Sequence, residues 1–222
     1  NNETFSLSVT PTGGTAVTGT ATIKDDGTGD IFNANGTLDT TTTKNNDITV
    51  SSPTVNEGST YAVFSVGVTS GQNISLALTN GSAAGGTTSP TDGTVDFANN
   101  ALQYSLDNGS NWISYTAAFN ATLTNGATKL LVRTTLVNDS VPDNNETFSL
   151  SVTPTGGTAV TGTATIKDDG TGDIFNTDGT TNNNAPKNDD RSLTVSSPTV
   201  NEGSTYAVFS VGVTSGQNIS LA

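Results

Sequence analysis

The chain has 222 residues, a formal net charge of −13 and no cysteine, methionine or histidine. Disulfides, thiolate or imidazole metal sites, and Ser-His or Cys-His catalytic groups are therefore excluded. The 20 Asp and Glu residues, against 7 Lys and Arg, disfavour binding to nucleic acid or to an anionic membrane surface and favour a hard cation that takes oxygen ligands.

The chain repeats itself over long segments. Residues 1–33 recur without a change at 144–176, and residues 49–77 recur without a change at 194–222. A period of 143–145 residues indicates an array of whole domains rather than a solenoid of small units. We therefore expect a longer tandem protein, in which further chain or a neighbouring molecule completes the two partial repeats.

The repeat divides the chain into five segments. In chain order, these are the C-terminal strands of a preceding repeat at 1–30, a linker at 31–47, a complete repeat at 48–173, a second linker at 174–192, and the N-terminal strands of a following repeat at 193–222. Both linkers are rich in polar residues and show no hydrophobic period, which favours a loop or an extended spacer.

Within the complete repeat, apolar and polar residues alternate with period two, as in half-buried β-strands. The predicted strands cover 48–55, 61–68, 74–78, 129–136, 147–152 and 159–166. Pro53 makes the first an edge strand. Turns at 69–73 and 154–157 are expected to join the second to the third strand, and the fifth to the sixth, as hairpins. With no helical period, this pattern predicts an all-β fold, an antiparallel β-sandwich repeated in tandem.

Acidic residues gather just before one predicted strand and just after the next. The first group lies within 138–146, ahead of the strand at 147–152, and the second within 168–173, behind the strand at 159–166. Because a hairpin places the start of its first strand beside the end of its second, both groups are expected at the same pole of the sandwich. The six carboxylates expected there are Asp139, Asp143, Glu146, Asp168, Asp169 and Asp173.

Six unpaired carboxylates at one pole would repel one another. A like pair about 5 Å apart costs roughly 0.8 kcal/mol in water and about four times more at a surface-like dielectric. Flexible loops that supply several carboxylate oxygens favour Ca²⁺ over Mg²⁺, although no segment has the spacing of an EF-hand loop. The simpler interpretation, solvated turn residues, stays open. Glu57 and Asp96 each adjoin a strand end, and the spacing alone does not place them at this pole.

Four motifs carry a resemblance to a known family. They are Val-Asn-Glu-Gly at 55–58, Thr-Val-Asp-Phe at 94–97, Asn-Glu-Thr-Phe at 145–148 and Ile-Lys-Asp-Asp-Gly at 166–170. In this order they resemble the Calx-beta domain, in particular the repeats of giant RTX-type surface adhesins of Gram-negative bacteria. The resemblance covers the complete repeat and both partial copies. It implies an Ig-like (Calx-beta-like) sandwich with calcium at one pole, near the domain junction.

The resemblance also implies a set of calcium ligands. In the complete repeat these are Glu57, Asp96, Asp139, Glu146, Asp168 and Asp169, with Asp143 and Asp173 as further candidates. The equivalents in the partial repeats are Glu3, Asp25, Asp26, Asp30 and Glu202. Asn138 and Asn145 stand where the family often carries acids, which leaves the number of ions per repeat open.

Taken together, these features predict a structural extender, or spacer, repeat of a long extracellular adhesin on a Gram-negative cell surface, rigidified by Ca²⁺. Extracellular modules bind calcium with Kd of order 10⁻⁴ to 10⁻³ M, so the repeats would be loaded outside the cell and not in the cytosol. The expected partners are neighbouring repeats of the same chain. No nucleic acid is expected as a partner, given the negative net charge. Direct membrane insertion is not expected, because no apolar run nears ~18 residues. Enzymatic activity on a small-molecule substrate is not expected either, because each copy would need its own active site.

Two other functions stay open. A carbohydrate- or protein-binding adhesion module would use loops at a pole, and its stacking platform would be Tyr104, Trp112 and Tyr115. Trp112, the only tryptophan, is otherwise expected to anchor the core. Ice binding would need a flat threonine array, for which the sequence offers the single-strand series Thr161, Thr163 and Thr165.

Overall fold

The computed structural model describes residues 3–24, 28–42, 44, 48–87 and 93–222. Within these ranges the chain is all-β, as predicted, and no helix is long and apolar enough to span a membrane. The strands, numbered in chain order, are β1 (Glu3–Val9), β2 (Val17–Ile23), β3 (Ile31–Phe32), β4 (Leu38–Asp39), β5 (Thr49–Val50), β6 (Thr54–Asn56), β7 (Tyr61–Gly67), β8 (Asn73–Asn80), β9 (Gly85–Gly86), β10 (Phe97–Ala98), β11 (Gln103–Ser105), β12 (Ile113–Ser114), β13 (Phe119–Asn120), β14 (Leu130–Thr135), β15 (Glu146–Pro154), β16 (Val160–Lys167), β17 (Thr194–Val195) and β18 (Val211–Gly212).

The complete repeat contains two five-stranded sheets and the short parallel pair of β9 and β10. The first has the order β12-β11-β14-β7-β5 and the second the order β13-β8-β15-β16-β6. Their pairings are antiparallel except for β16 with β6, which run parallel. Buried side chains of both sheets form one hydrophobic core, which is consistent with a β-sandwich. We refer to these two sheets and their loops as the sandwich.

Three phenylalanines lie at the centre of this core. Phe148 of β15 stacks on Phe97 with ring centroids 4.2 Å apart and meets Phe64 of β7 edge to face at 5.9 Å. All three are fully buried. In β15 every second residue from Phe148 onward is buried, because successive side chains of a strand point to opposite faces of the sheet. The predicted alternation of apolar and polar residues in this strand therefore matches the alternation of buried and partly exposed side chains.

The predicted edge strand at 48–55 splits at Pro53 into two strands of different sheets. β5 pairs with β7 in the first sheet, whereas β6 pairs with β16 in the second. Proline has no N–H to donate to a ladder, so a strand that changes partners at this residue loses no hydrogen bond there. The backbone N–H of Thr165 donates instead to the carbonyl of Pro53 at 2.9 Å.

The hairpin predicted for 61–68 and 74–78 is wrong, although both strands exist. β7 lies in the first sheet and β8 in the second, so the turn between them crosses from one sheet to the other. Packed sheets are ~10 Å apart, a distance that the five residues 68–72 span easily at about 3.3 Å each. The turn residues at 69–73 show where β7 ends, but they do not show which strand β8 pairs with.

The hairpin of β15 and β16 is confirmed. Its register pairs Glu146 with Ile166 at one end and Val152 with Val160 at the other. The turn between the strands closes through a 3.0 Å hydrogen bond from the N–H of Gly157 to the carbonyl of Pro154, with Gly156 at a φ of 75°. A glycine suits this left-handed position because it has no Cβ to clash with the backbone.

The partial repeats form the same local pairings as the complete one. β1 and β2 pair in the register of β15 and β16, with Glu3 opposite Ile23. β17 and β18 pair as β5 and β7 do, with Thr194 opposite Gly212. Their apolar side chains are largely exposed, in contrast to the identical residues of the sandwich.

Residues 174–191, predicted as part of the second linker, pack on the sandwich rather than extending away from it. Ile174 is buried, and Phe175 forms a bridge with Thr181 and packs against the core. Arg133 donates a 2.6 Å hydrogen bond to the carbonyl of Thr177. Hydrogen bonds of polar groups therefore hold much of this segment in place, which explains why it shows no hydrophobic period.

Trp112 lies under this segment and not in the central core. The Arg133 guanidinium carbon lies over its ring, 3.9 Å from the centroid, and also lies 3.9 Å from the centroid of the Tyr61 ring. Gly179 sits close to the Trp112 ring, where a Cβ would lie 3.3 Å from it. The expected core anchor is thus half-buried at the outer face of the first sheet.

Candidate metal centre

The topology of one hairpin brings two acidic loops together. β15 begins at Glu146 and β16 ends at Lys167, and the N–H of Asn145 donates to the carbonyl of Ile166 at 3.0 Å. The loops before β15 and after β16 therefore lie side by side. Asn144 connects them: its Nδ2 donates to Asp169 at 2.8 Å, and its Oδ1 accepts the N–H of Asp168 at 3.2 Å.

One group of three carboxylates lies at this pole, and we call it the Glu57 cluster. It consists of Glu57, Asp168 and Asp190, each of which offers an oxygen within 4.8 Å of the others. Glu57 and Asp168 are only 2% and 1% exposed. The N–H of Glu57 donates to the carbonyl of Lys167 at 2.8 Å, which fixes the loop after β6 against the end of β16.

Asn56 holds Asp190 in this cluster. Its Oδ1 accepts the N–H of Asn188 at 2.8 Å, and its Nδ2 donates to the carbonyl of the same residue at 3.1 Å. The N–H of Gly170 donates to that carbonyl as well, at 2.9 Å. Asn56 is fully buried, and its hydrogen bonds to Asn188 hold the segment 188–190 against the pole. Sequence reasoning missed Asp190; the pair Asp189-Asp190 in an otherwise polar linker was the available signal.

A second group of carboxylates, which we call the Asp96 cluster, adjoins the first. It consists of Asp96, Asp139 and Asp143, again with oxygens within 4.8 Å of one another. Asp96 is 6% exposed, and one of its oxygens accepts the N–H of Ala84 at 2.6 Å. The two clusters touch through Asp139, whose N–H donates to Oε1 of Glu57 at 3.2 Å.

Burial and mutual repulsion raise the pKa values of these carboxyl groups. The pKa of Glu57 rises to about 8, first through burial and then through the charges of Asp168 and Asp139. The pKa of Asp168 rises to about 6 through burial and the charge of Asp190. Burial likewise raises the pKa of Asp143. At neutral pH the folded chain therefore holds negative charge here at a cost in free energy.

Glu146 extends the Asp96 cluster. Its pKa is raised to about 7, first by burial and then by a hydrogen bond with Asp96 and the charge of the same residue. The nearby cations are engaged by other acids: Lys167 lies 3.7 Å from Asp169, and the Arg191 guanidinium lies 2.7 Å from Asp189.

Several side-chain oxygens at the pole are buried and lack a hydrogen-bond partner. They are Oε2 of Glu57, Oδ2 of Asp139, Oδ2 of Asp168, Oδ1 of Asn188 and Oδ2 of Asp190. An unsatisfied buried carboxylate oxygen is costly, and such groups in native proteins are satisfied by water or an ion. Carboxylate and amide oxygens are the ligands of hard cations, so the two clusters could hold metal ions.

Besides Glu146, two predicted ligands lie outside both clusters. Asp169 accepts hydrogen bonds from Thr171 and Asn144 and pairs with Lys167, so its oxygens have partners. Asp173 is exposed, and its backbone forms two hydrogen bonds of 2.9 Å, one from the N–H of Asn56 to its carbonyl and one from its own N–H to the carbonyl of Thr54.

The partial repeats place their acidic equivalents differently. Glu3, Asp30 and Glu202 are exposed, because the strands that would surround them are incomplete. Asp25 and Asp26 lie outside the described residues. Only the complete repeat brings the acids together in the described part of the chain.

Comparisons of the chain with models of protein families, with curated proteins and with solved structures find no match. The chemistry of the two clusters therefore has to follow from their geometry.

Proposed function

We propose that the chain consists of tandem Ig-like (Calx-beta-like) β-sandwich repeats that serve as a calcium-rigidified spacer in a long extracellular adhesin of a Gram-negative bacterium. Calcium would be held at the pole formed by the Glu57 and Asp96 clusters. The partners of each repeat are its neighbours in the same chain, and no catalytic step is assigned to the carboxylates.

The observation that carries this proposal is the set of buried, unpartnered oxygens at one pole. Four of the five belong to carboxylates, and their geometry joins both clusters. Folding without a counter-charge would leave these groups desolvated and mutually repelling. A cation with a large, flexible coordination shell fits several carboxylates from loops better than one that needs a rigid octahedron.

The origin of the ligands supports a rigidifying role. Glu57 follows β6, Asp168 follows β16, and Asp190 closes the segment that leads to the next repeat. When bound, the ion supplies the positive charge that these three carboxylates lack. Residues distant in the chain would then be fastened at one point, immediately before the next repeat begins. The two unchanged segments in series suit a spacer better than a single receptor site.

Thermal unfolding of the whole chain tests the proposal. We expect Tm to rise by several degrees between EDTA and millimolar Ca²⁺, because a ligand at ten times its Kd adds about 1.4 kcal/mol to stability. Mg²⁺ at the same concentration should give a smaller shift. The variant Glu57→Gln should lose most of the calcium effect, whereas the matched control Asp169→Asn at the same pole should retain it. An unchanged Tm with Ca²⁺ contradicts the proposal.

The alternative as a sugar- or protein-binding module receives less support from the aromatic residues. Tyr104 stacks on Phe119 with centroids 3.8 Å apart, and the Tyr115 hydroxyl accepts the N–H of Leu76 at 3.0 Å. Trp112 is covered by Arg133. These three rings are thus committed to packing. A glycan array probed with the whole chain tests this function, and specific saturable binding would favour it over the spacer.

Ice binding receives little support from the threonine series. Thr161 and Thr163 are exposed on β16, and their hydroxyls form hydrogen bonds of 2.9 and 3.0 Å with Ser151 and Ser149 of β15. The series stays on one strand and does not extend into a wide, flat array. A thermal hysteresis measurement tests this function, and a clear hysteresis would favour it.

A further inference from the structure

The two junctions of the chain differ in sequence, although the segments on either side of them are repeated without a change. The first junction reads Lys-Asn-Asn-Asp-Ile at 44–48, and the second reads Lys-Asn-Asp-Asp-Arg-Ser-Leu at 187–193. The second junction therefore contains two inserted residues, Arg191 and Ser192, and carries Asp189 where the first has Asn46. A cation and an additional acid thus enter the same junction together.

Arg191 and Asp189 form an ion pair that lies against the sandwich. Nε and one Nη of the guanidinium donate to the two oxygens of the Asp189 carboxylate at 2.8 and 2.7 Å. The same Nη donates to the carbonyl of Asp169, in the loop after β16, at 2.8 Å. Two parallel hydrogen bonds between a guanidinium and a carboxylate fix the plane of the arginine side chain. Arg191 is therefore held at the acidic pole, by which we mean the end of the sandwich that carries the Glu57 and Asp96 clusters.

Arg191 also contacts a turn of the following repeat. Its other Nη donates to the carbonyl of Ser215 at 3.3 Å, and Nε2 of Gln217 donates to the carbonyl of Arg191 at 2.8 Å. The turn itself closes through a 3.1 Å hydrogen bond from the N–H of Gln217 to the carbonyl of Thr214. One residue thus joins the end of one repeat to the beginning of the next.

The same turn is accessible in a complete repeat. Its counterpart at 69–72 closes through an equivalent hydrogen bond of 3.0 Å, from the N–H of Gln72 to the carbonyl of Thr69. Ser70 and Gly71 of that turn are exposed in the sandwich. The contact with the preceding junction is therefore open to a whole repeat as well as to the part of one that residues 193–222 represent.

The turn and the acidic pole lie at opposite ends of a repeat. β8 begins directly after the turn at 69–72, and its Ile74 pairs with Pro154, the last residue of β15. β15 begins at Glu146, at the acidic pole. A contact between the acidic pole of one repeat and the turn of the next is therefore head-to-tail, and contacts of this kind propagate along an array.

We propose that Arg191 fixes the orientation of the following repeat on the acidic pole, and that a junction without this arginine allows a wider range of orientations. Domains joined by a polar linker move relative to one another unless an interface holds them. The stiffness of each joint in the spacer would then be set by its junction sequence and not only by the metal centre. None of the hydrogen bonds of Arg191 involves a member of the Glu57 or Asp96 cluster, so the contact goes beyond the proposed calcium site.

The distance between two spin labels on either side of the junction tests the proposal. The full chain is extended after Ala222 by a copy of its own residues 78–173, so that the following repeat is complete. Labels are attached through Thr163→Cys in the sandwich and Ala222→Cys in the following repeat, and the natural chain has no cysteine to interfere. Thr163 is exposed, as is Ala77, the counterpart of Ala222. Double electron–electron resonance then gives the distribution of one distance across the junction.

We expect a narrow distribution for the parent and one at least about twice as wide for Arg191→Gln, because the linked repeats then reorient freely. Deletion of Arg191 and Ser192, together with Asp189→Asn and Leu193→Ile, gives this junction the sequence of the first and should widen the distribution equally. Lys187→Gln removes an exposed cation from the same segment, is the matched control, and should leave the width unchanged.

Each chain is measured both in EDTA and in millimolar Ca²⁺, which separates this proposal from the calcium site. A wider distribution for Arg191→Gln than for the parent in either buffer supports the arginine contact. Equal widths for these two chains in both buffers overturn it. A change with calcium that is the same in both chains reports on the metal centre instead, so the two proposals fail separately. Trp112 emission reports that the sandwich is folded in every variant.

Discussion

The backbone N–H of Asp190 donates a 3.2 Å hydrogen bond to a carboxylate oxygen of Asp168, although 22 residues separate the two in sequence. The contact joins the end of β16 to the last residues before the following repeat. It leaves Oδ2 of each residue buried and without a hydrogen-bond partner. The junction between repeats is therefore part of the candidate metal centre and not merely adjacent to it.

Removal of the Asp190 carboxylate should weaken the proposed calcium site. We expect Asp190→Asn to lower calcium affinity about tenfold or more, which at saturating calcium removes about 1.4 kcal/mol or more of the stabilisation. Isothermal titration calorimetry of the metal-free chain measures the affinity directly. Asp189→Asn is the control, because Asp189 pairs with Arg191 at 2.7 Å and lies outside both clusters. Equal affinities for the two variants would exclude Asp190 as a ligand.

Much of this pole could be predicted from the sequence, because hairpin topology is a local property. The alternation in β15 and β16 and the turn between them set the register that aligns Glu146 with Ile166. That register alone places the loops of Asp139 and Asp168 side by side. Asp190 could not be predicted in this way, because its position depends on hydrogen bonds between Asn56 and Asn188, which follow no periodic pattern.

The partners of β7 and β8 could not be predicted for a different reason. Both strands alternate in the same manner, and the turn at 69–73 is compatible with either a hairpin or a crossing between sheets. The choice is made by the longer strands: β14 pairs with β7, whereas β15 pairs with β8 over seven residue pairs. Long-range pairing of this kind leaves no mark within a window of ten or twenty residues.

Without metal, the stability of the sandwich should fall as pH rises. The pKa of Glu57 is raised from 4.5 to about 8 in the folded state, so between these values the folded chain binds more protons than the unfolded chain. The free energy of unfolding then decreases with pH, by at most about 1.4 kcal/mol per pH unit for one group. The contribution of the protonated Glu57 carboxyl to the free energy of unfolding is fully present below the pKa of the unfolded chain, 4.5. It is lost as pH rises through the pKa of the folded chain, about 8.

Chemical denaturation of the metal-free chain at several pH values between 4.5 and 8 measures this slope. In Glu57→Gln the slope should be smaller, because the amide does not titrate. Saturating calcium should reverse the trend, since the ion needs deprotonated carboxylates and its affinity therefore rises with pH. A pH-independent stability in the absence of metal would contradict the burial of these groups as ionisable carboxyls.

Two identical phenylalanines in different surroundings allow an internally controlled test of the core. Phe148 is fully buried between Phe64 and Phe97, whereas Phe5, in the same sequence context, is 60% exposed. We expect Phe148→Ala to lower the free energy of unfolding by about 3–5 kcal/mol. Phe5→Ala should change it by less than about 0.5 kcal/mol in dilute, monomeric samples. Trp112 fluorescence during denaturation reports the sandwich transition, and equal effects of the two substitutions would contradict this packing.

Arg133 should hold the segment that ends at the metal centre. Its guanidinium carbon lies 3.9 Å from the ring centroids of both Tyr61 and Trp112, and the guanidinium donates to the carbonyl of Thr177. Each cation–π contact of a desolvated guanidinium contributes roughly 0.5–2 kcal/mol. We expect Arg133→Gln to loosen residues 174–187, to shift Trp112 emission to longer wavelength and to speed tryptic cleavage after Lys187 several-fold. Lys129→Gln, which removes an exposed charge at the start of β14, is the control and should leave the cleavage rate unchanged. Because the chain runs on from this segment to Asp190, Arg133→Gln should also reduce the calcium-dependent rise in Tm. An unaltered cleavage rate would contradict this role of Arg133 and would show that the hydrogen bonds of Asn56 hold the segment without it.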